Sequence, residues 1–335
     1  MNAIDNFFHK LNINTDKKVK KEKIDFKKNC CFDYTYDVNT NLPIEERFQL
    51  KFTPCVRETG SWKEEIFATV KDIKDSAKKP IYVLYSGGLD SEVVCEAMKQ
   101  QKINFKAVSL LFTDISNYND IEYAIEYCSK NKIEHIIKKI KIQDFVDYGI
   151  PFYQKLGLRA TTIYRYLQCF YIDLIESLDG HGVICGGIES VVHLPENIKK
   201  QKYIIGMKFS PEKFIVLDYC KKYNLEHSPY FYAQNSEVLF SYLKNKLIKF
   251  LMHNPEYVGN HFEIDKTMIH HSQWVHELEP RPKYGAVLVD RKLISLNVEN
   301  FEKLSAQYPD IKNIYISIKD LISVLGVEQK INLSN

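Results

Sequence analysis

Ile81-Tyr82-Val83-Leu84-Tyr85-Ser86-Gly87-Gly88-Leu89-Asp90-Ser91 passes from a short apolar run into a serine, a glycine pair and an acidic, hydroxyl-bearing turn. The apolar run has the length of a buried strand. Val93, Val94, Ala97 and Met98 then share one face of a 3.6-residue period, so Asp90 to Lys102 is predicted helical. Two glycines between strand and helix let the backbone turn sharply and aim several amides into one concavity. At a helix N-terminus, unpaired N–H groups and the positive end of the dipole favour a phosphate. Ser86 and Ser91 add hydroxyl donors. The Asp90 carboxylate repels a bare phosphate, so its presence implies Mg²⁺, which bridges such an oxygen to phosphates. The competing reading is an ordinary tight turn with Asp90 or Ser91 as N-cap. A cap accounts for one of those residues but not for the Ser-Gly-Gly before them.

Outward from this turn, strand and helix patterns alternate. Ile66, Val70, Ile73 and Ala77 recur at helical spacing from Trp62, and Lys78-Lys79-Pro80 closes that helix before the strand. Phe105 to Phe112 and Glu134 to Ile142 read as strands on either side of a helix over Asn119 to Lys130. Thr161 to Leu178 is a long amphipathic helix with Gly180 expected at its C-terminal end, and Gly182 to Cys185 is a fourth strand. Such alternation predicts right-handed βαβ crossovers and an α/β fold, a parallel sheet with helices on both faces. Beyond about residue 195 the pattern weakens to a helix over Ser236 to His253, with Ser236 as N-cap, and a hairpin of Ala286 to Val289 and Leu293 to Leu296. Three regions follow: an irregular N-terminal arm over 1–60, an α/β domain over 61–195 that carries the phosphate-binding turn, and a mixed, mostly helical region over 196–335 expected to hold a second substrate.

Composition narrows the class without choosing a partner. With 335 residues, 45% of them hydrophobic, the chain can bury a real core. A net charge of +3 gives no global attraction to nucleic acid or membrane, so any such contact must be local. The local candidate is Lys17-Lys18-Val19-Lys20-Lys21-Glu22-Lys23, either a solvated arm or a polyanion contact. The eight cysteines show no Cys-x-x-Cys spacing and no secretory leader, which fits reduced thiols and a cytoplasmic protein. No apolar run is long enough to span a bilayer.

At Ser86 to Ser91 the sequence resembles the PP-loop ATP pyrophosphatases, with their Ser-Gly-Gly-x-Asp-Ser loop, over roughly residues 62–192. Within that superfamily it is most similar to the synthetase domain of asparagine synthetase. The resemblance implies an adenine nucleotide alpha hydrolase-like fold, with ATP and Mg²⁺ as cofactors. It puts Ser86, Gly87, Gly88, Leu89, Asp90 and Ser91 on the phosphates, and Leu84 with Leu111 or Phe112 on the adenine. It makes Asp90 a metal ligand and places the Gly186-Gly187 turn against the nucleotide, with Glu189 a second metal ligand or simply a helix-start glutamate.

The departures also matter. Met1 is followed by Asn2, and sixty residues are too few for a glutaminase domain, so ammonia or a sulfur donor is expected free or from a separate partner. The four-cysteine zinc site of the deazaguanine synthases has no counterpart.

Three weaker candidates complete the reading. Arg159, ahead of Thr161-Thr162, and Arg165 could hold a phosphate or carboxylate. Arg281 and Lys283, in the proline-stiffened Glu279-Pro280-Arg281-Pro282-Lys283, could cover departing pyrophosphate. His270-His271-Ser272-Gln273-Trp274-Val275-His276 lacks the i, i+4 histidine spacing of a zinc helix. The leading expectation is an AMP-forming ligase or amidotransferase-type enzyme that adenylates a small-molecule carboxylate or amide-like oxygen. The alternatives are the same chemistry on tRNA or a nucleobase, with the lysine run touching RNA, and a non-catalytic ATP-binding module.

Overall fold

The computed structural model describes residues 2–17, 30–36, 48–114, 117–185, 191–194, 204–209, 214–255, 258, 270, 272–274 and 314–326. At its centre is a four-stranded parallel sheet of β3 (Ile81–Leu84), β4 (Phe105–Phe112), β5 (His135–Ile140) and β6 (His181–Val183), in the order β5-β4-β3-β6. Val83 lies opposite Ala107 on one side and Val183 on the other, and all three are fully buried. A strand buried on both faces needs the unbroken apolar run that the sequence supplies there.

Strand order decides where a ligand can sit. From β3 the chain moves to β4 and then β5 on one side, and only later returns to place β6 on the other. The crossover direction therefore reverses at β3, which opens a crevice at the carboxyl ends of β3 and β6. Tyr85 and the Ser86 to Ser91 turn lie at that point.

The surrounding helices are α2 (Trp62–Ser76), α3 (Leu89–Gln100), α4 (Tyr118–Lys130) and α5 (Ile163–Ser177). Ser61 and Glu64 form a capping box that starts α2, whose Trp62, Ile66, Val70 and Ile73 are buried. The left-handed residue after α5 is Asp179 (φ 49°), not Gly180. Gly180 is required for another reason: a Cβ there would meet the Tyr82 ring at 2.4 Å.

After α6 (Ile215–Tyr223), the Ser236 to His253 helix is two helices, α7 (Ser236–Leu243) and α8 (Lys246–His253). Asn245 breaks it, because its side chain accepts from the Leu247 N–H (2.9 Å) and starts a new helix. Asn235, rather than Ser236, caps α7, accepting from the Val238 N–H at 2.9 Å. Ser236 instead donates to the Thr53 carbonyl. Two further sheets are antiparallel: β1 (Phe32–Tyr36) pairs with β2 (Phe48–Phe52), and β7 (Val191–His193), β8 (Ile205–Phe209) and β9 (Ile314–Ser317) form a three-stranded one that α9 (Ile318–Leu325) follows. The hairpin expected at 286–296 lies outside the described residues.

The N-terminal segment is tied to the core. In α1 (Ala3–Lys10), Phe8 is fully buried against Phe152, with ring centroids 4.5 Å apart. Lys17, read from the sequence as part of a solvated or polyanion-binding run, reaches Asp173 on α5 at 2.6 Å. Tyr153 and Tyr219 donate to the same carboxylate, at 2.8 and 2.6 Å. Residues 18–23 of that run lie outside the described residues.

Burial pushes the Asp173 carboxyl up, and Lys17 opposes the shift. Removing the cation would leave a buried charge uncompensated, which costs about 3–5 kcal/mol. Lys17→Met should therefore lose roughly 3 kcal/mol or more in urea unfolding at neutral pH. An Asp pKa raised by folding stabilises at low pH, and that contribution is lost as pH rises through the folded value. The deficit of Lys17→Met should therefore shrink as pH falls and Asp173 takes up a proton. A deficit independent of pH would contradict the ion pair.

Candidate active site

The turn between β3 and α3 is shaped by what Gly87 leaves out. Its φ is +82°, and a Cβ on it would lie 1.7 Å from the Asp120 carbonyl oxygen in the first turn of α4. No side chain fits, so the loop passes directly against α4. Gly88 is the N-cap of α3, with φ −79° and no side-chain capping bond. Its own Cβ would meet only Ser86 Oγ, at 3.4 Å.

The first-turn amides of α3 thus lack a side-chain cap, and Ser86 and Gly88 are exposed beside them. Ser86 Oγ is 3.3 Å from Ser91 Oγ, whose hydroxyl donates to the Gly88 carbonyl at 2.8 Å. Ser91 is buried, so it shapes the loop from beneath while Ser86 faces outward. Neither Asp90 nor Ser91 is the cap, since Gly88 takes that position.

Behind the loop, α3 is anchored by buried acids. The Tyr85 hydroxyl donates to Glu92 at 2.6 Å and Tyr127 donates to Glu96 at 2.7 Å. Lys99 also reaches Glu96 at 2.6 Å. These bonds hold the strand end, α3 and α4 in one register.

Asp90 is one-third exposed, with a side-chain exposure of 34%. Its Oδ1 lies 3.0 Å from Nε2 of His270, and its backbone carbonyl accepts from the Tyr232 hydroxyl at 2.6 Å. Burial first, and the Asp90 charge second, push the Tyr232 phenol and the Cys185 thiol up, so both stay protonated. Cys185 continues β6, with Sγ 3.9 Å from the Leu84 carbonyl, which puts β6 on the far side of the crevice.

The remaining sequence candidates divide by position. Leu84 and Leu111 are half-buried, and Phe112 is buried with its N–H donating to Asn117 Oδ1 at 2.9 Å. Leu89 is half-buried at the start of α3. Arg159 is exposed shortly before α5. The chain leaves α5 for β6 at the amino edge of the sheet, where the His181 N–H donates to the Pro80 carbonyl, so the α5 N-terminus lies toward the opposite, carboxyl edge. Burial, then the Asp120 carboxyl, push the Tyr164 phenol up in the first turn of α5. Arg165 reaches Gln168 at 3.3 Å. Gly186, Gly187, Glu189, Arg281 and Lys283 lie outside the described residues, as do His271 and His276. Sequence reasoning missed Tyr232 and the pairing of His270 with Asp90. The imidazole cluster was visible as a group, but nothing local pointed it at Asp90.

Residues 63–165 match the asparagine synthase family model. The match runs from α2 through β3, β4 and β5 to the first turn of α5 and takes in the whole Ser86 to Ser91 turn. No curated protein matches the chain. Among solved structures, an NH3-dependent NAD synthetase from Campylobacter jejuni, in complex with nitrate, is 16% identical over 73% of this chain and 93% of its own. An NMN synthetase from Francisella tularensis is 12% identical over 75% and 94%. Both have a TM-score of 0.31, too low for either superposition to place a residue here. No helix among the described residues is long and apolar enough to cross a membrane.

The two glycines of the loop should separate fold from ligand binding. Gly87→Ala meets backbone at 1.7 Å in a left-handed conformation, and should lose about 2 kcal/mol or more of stability in thermal melts. Gly88→Ala adds a methyl on the open side and should stay within about 1 kcal/mol of wild type. ATP binding should nevertheless weaken in the second variant. Equal melting losses for the two would contradict this geometry.

Proposed function

We propose that the chain is an Mg-ATP-dependent, AMP-forming ligase that adenylates an acceptor carboxylate or amide-like oxygen for attack by a nucleophile such as ammonia. One observation carries this reading: an uncapped helix start, with Gly88 and Ser86 open to solvent and the Asp90 carboxylate half a turn on, at the crossover-reversal point of a parallel sheet. The donor set suits both parts of the ligand. Amides and a hydroxyl suit phosphate oxygens, and a partly exposed carboxylate suits a hard cation. Mg²⁺ held by Asp90 would offset the charge that builds up on pyrophosphate as it leaves.

The acceptor oxygen attacks the α-phosphorus of ATP, the α–β bridging bond breaks, and pyrophosphate departs with its electron pair. The nucleophile then displaces AMP from the activated carbon. Ser86 and the α3 amides hold the phosphates in line, and Leu84 and Phe112 supply an apolar wall for the purine. Arg159, exposed shortly before α5, is the candidate to hold an acceptor carboxylate. Glu189, Arg281 and Lys283 remain candidates for the second metal ligand and the pyrophosphate cover. Lys17 is engaged with buried Asp173, which weakens the reading of that end of the lysine run as an RNA contact.

Asp90→Asn tests the proposal without disturbing the fold, because the amide oxygen still accepts from His270. AMP and pyrophosphate release should fall by on the order of a hundredfold or more, with melting unchanged. Undiminished pyrophosphate release would refute the assignment. The wild-type measurement is a screen of metabolite and tRNA pools for compounds that trigger AMP formation from ATP.

A further inference from the structure

The loop aspartate has a partner far away in sequence. His270 is 1% exposed, and its ring lies 6.2 Å from the Trp62 ring and 5.8 Å from the Tyr232 ring. The segment carrying it is fastened to α2. The Trp274 N–H donates to the His270 carbonyl, and Trp274 is buried edge-on to Phe67 at 5.4 Å, with Lys63 Nζ 4.4 Å above its ring. A carboxylate can only accept, so His270 Nε2 carries the hydrogen in its 3.0 Å bond to Asp90 Oδ1. Its other ring nitrogen, Nδ1, is buried with no hydrogen-bond partner among the described residues. Among the described residues, the imidazole therefore has one polar engagement, and that engagement is Asp90.

We propose that His270 is a positioning residue that holds the Asp90 carboxylate in the orientation presenting it to a divalent cation on the PP-loop. This rests on the proposed Mg-ATP site. A carboxylate offers about four lone-pair positions, so one bond from His270 orients it without consuming it. A short side chain on a helix start has several rotamers, and a fixed donor selects one. Hydrogen bonds to a ligating carboxylate of this kind typically change metal affinity by about 10–100-fold. Tyr232, bonded to the Asp90 carbonyl, fixes the backbone of the same residue. Both groups lie outside residues 63–165, so the metal-facing end of the loop is shaped by the C-terminal half of the chain.

The test uses the full-length protein, with Mn²⁺ as probe. Free Mn²⁺ is counted by electron paramagnetic resonance in the presence of ATP, and ATP affinity is measured separately in EDTA. His270→Phe keeps an aromatic ring between Trp62 and Tyr232 but removes the donor. His270→Gln restores an N–H near the Nε2 position. ATP-dependent Mn²⁺ affinity should fall about tenfold in H270F and recover in H270Q, with ATP affinity in EDTA unchanged in both.

Wild-type Mn²⁺ binding in H270F, an equal loss of metal-free ATP binding, or an H270Q no better than H270F would overturn the proposal. If H270F fails to fold, H270Q is compared with H270N, whose donor is too short to reach Asp90. Equal Mn²⁺ binding by those two overturns it as well. Asp90→Asn separates the two levels of argument. If D90N binds Mn²⁺ and ATP like wild type, the metal-loading reading itself fails. If only D90N loses Mn²⁺, the role of His270 alone fails.

Discussion

The backbone of Gly87 passes within van der Waals contact of the Asp120 carbonyl, and most of the site geometry depends on that close approach. A Cβ would sit 1.7 Å from the carbonyl oxygen, so α4 can rest on the loop only if residue 87 has no side chain and can take a positive φ. With α4 seated there, its Tyr127 reaches Glu96 and T-stacks on Tyr85 at 5.6 Å. Tyr85 in turn reaches Glu92. The strand end, the loop and the first two turns of α3 thereby form one rigid unit. The amides at the helix start are aimed before any ligand arrives, so binding does not have to pay for ordering them.

Buried charge is handled the same way elsewhere. Asp173 lies at the centre of α5, where an unpaired carboxylate would be costly. Three donors surround it, two tyrosines and Lys17. Because the lysine arrives from the N-terminal segment, a local electrostatic need becomes a long-range tether. It holds α1 and its Phe8 against the aromatic packing of Phe152 and Phe170.

The parallel sheet was legible because its signal is local. Each strand is a short apolar run, each crossover helix has a clean 3.6-residue stripe, and the turn between β3 and α3 has a composition that few other roles require. Element ends were less legible, because caps depend on side-chain competition. Asn235 and Ser236 are both good N-caps by type, and only the Thr53 carbonyl beside Ser236 decides between them. Asn245 in an apolar helical pattern looks tolerable until its side chain is seen capping the next helix. The lysine run carried no hint of Asp173, more than 150 positions downstream. Composition reports charge, not where its counter-charge folds.

The same limit explains why the loop was readable and its supports were not. Ser86 to Ser91 lie together in sequence, so their joint purpose shows in their spacing. His270 and Tyr232 act on Asp90 from 180 and 142 positions away. Each is held there by packing on α2, through Trp62 stacked on Tyr232 at 5.5 Å and Phe67 against Trp274. The helix that leads into the first strand of the parallel sheet is thus also the platform that brings the C-terminal residues onto the loop. A phosphate grip needs little more than backbone amides at a helix start and can be written in six consecutive residues. Fixing the direction of one carboxylate needs a donor from outside the loop, and only the folded chain brings it there.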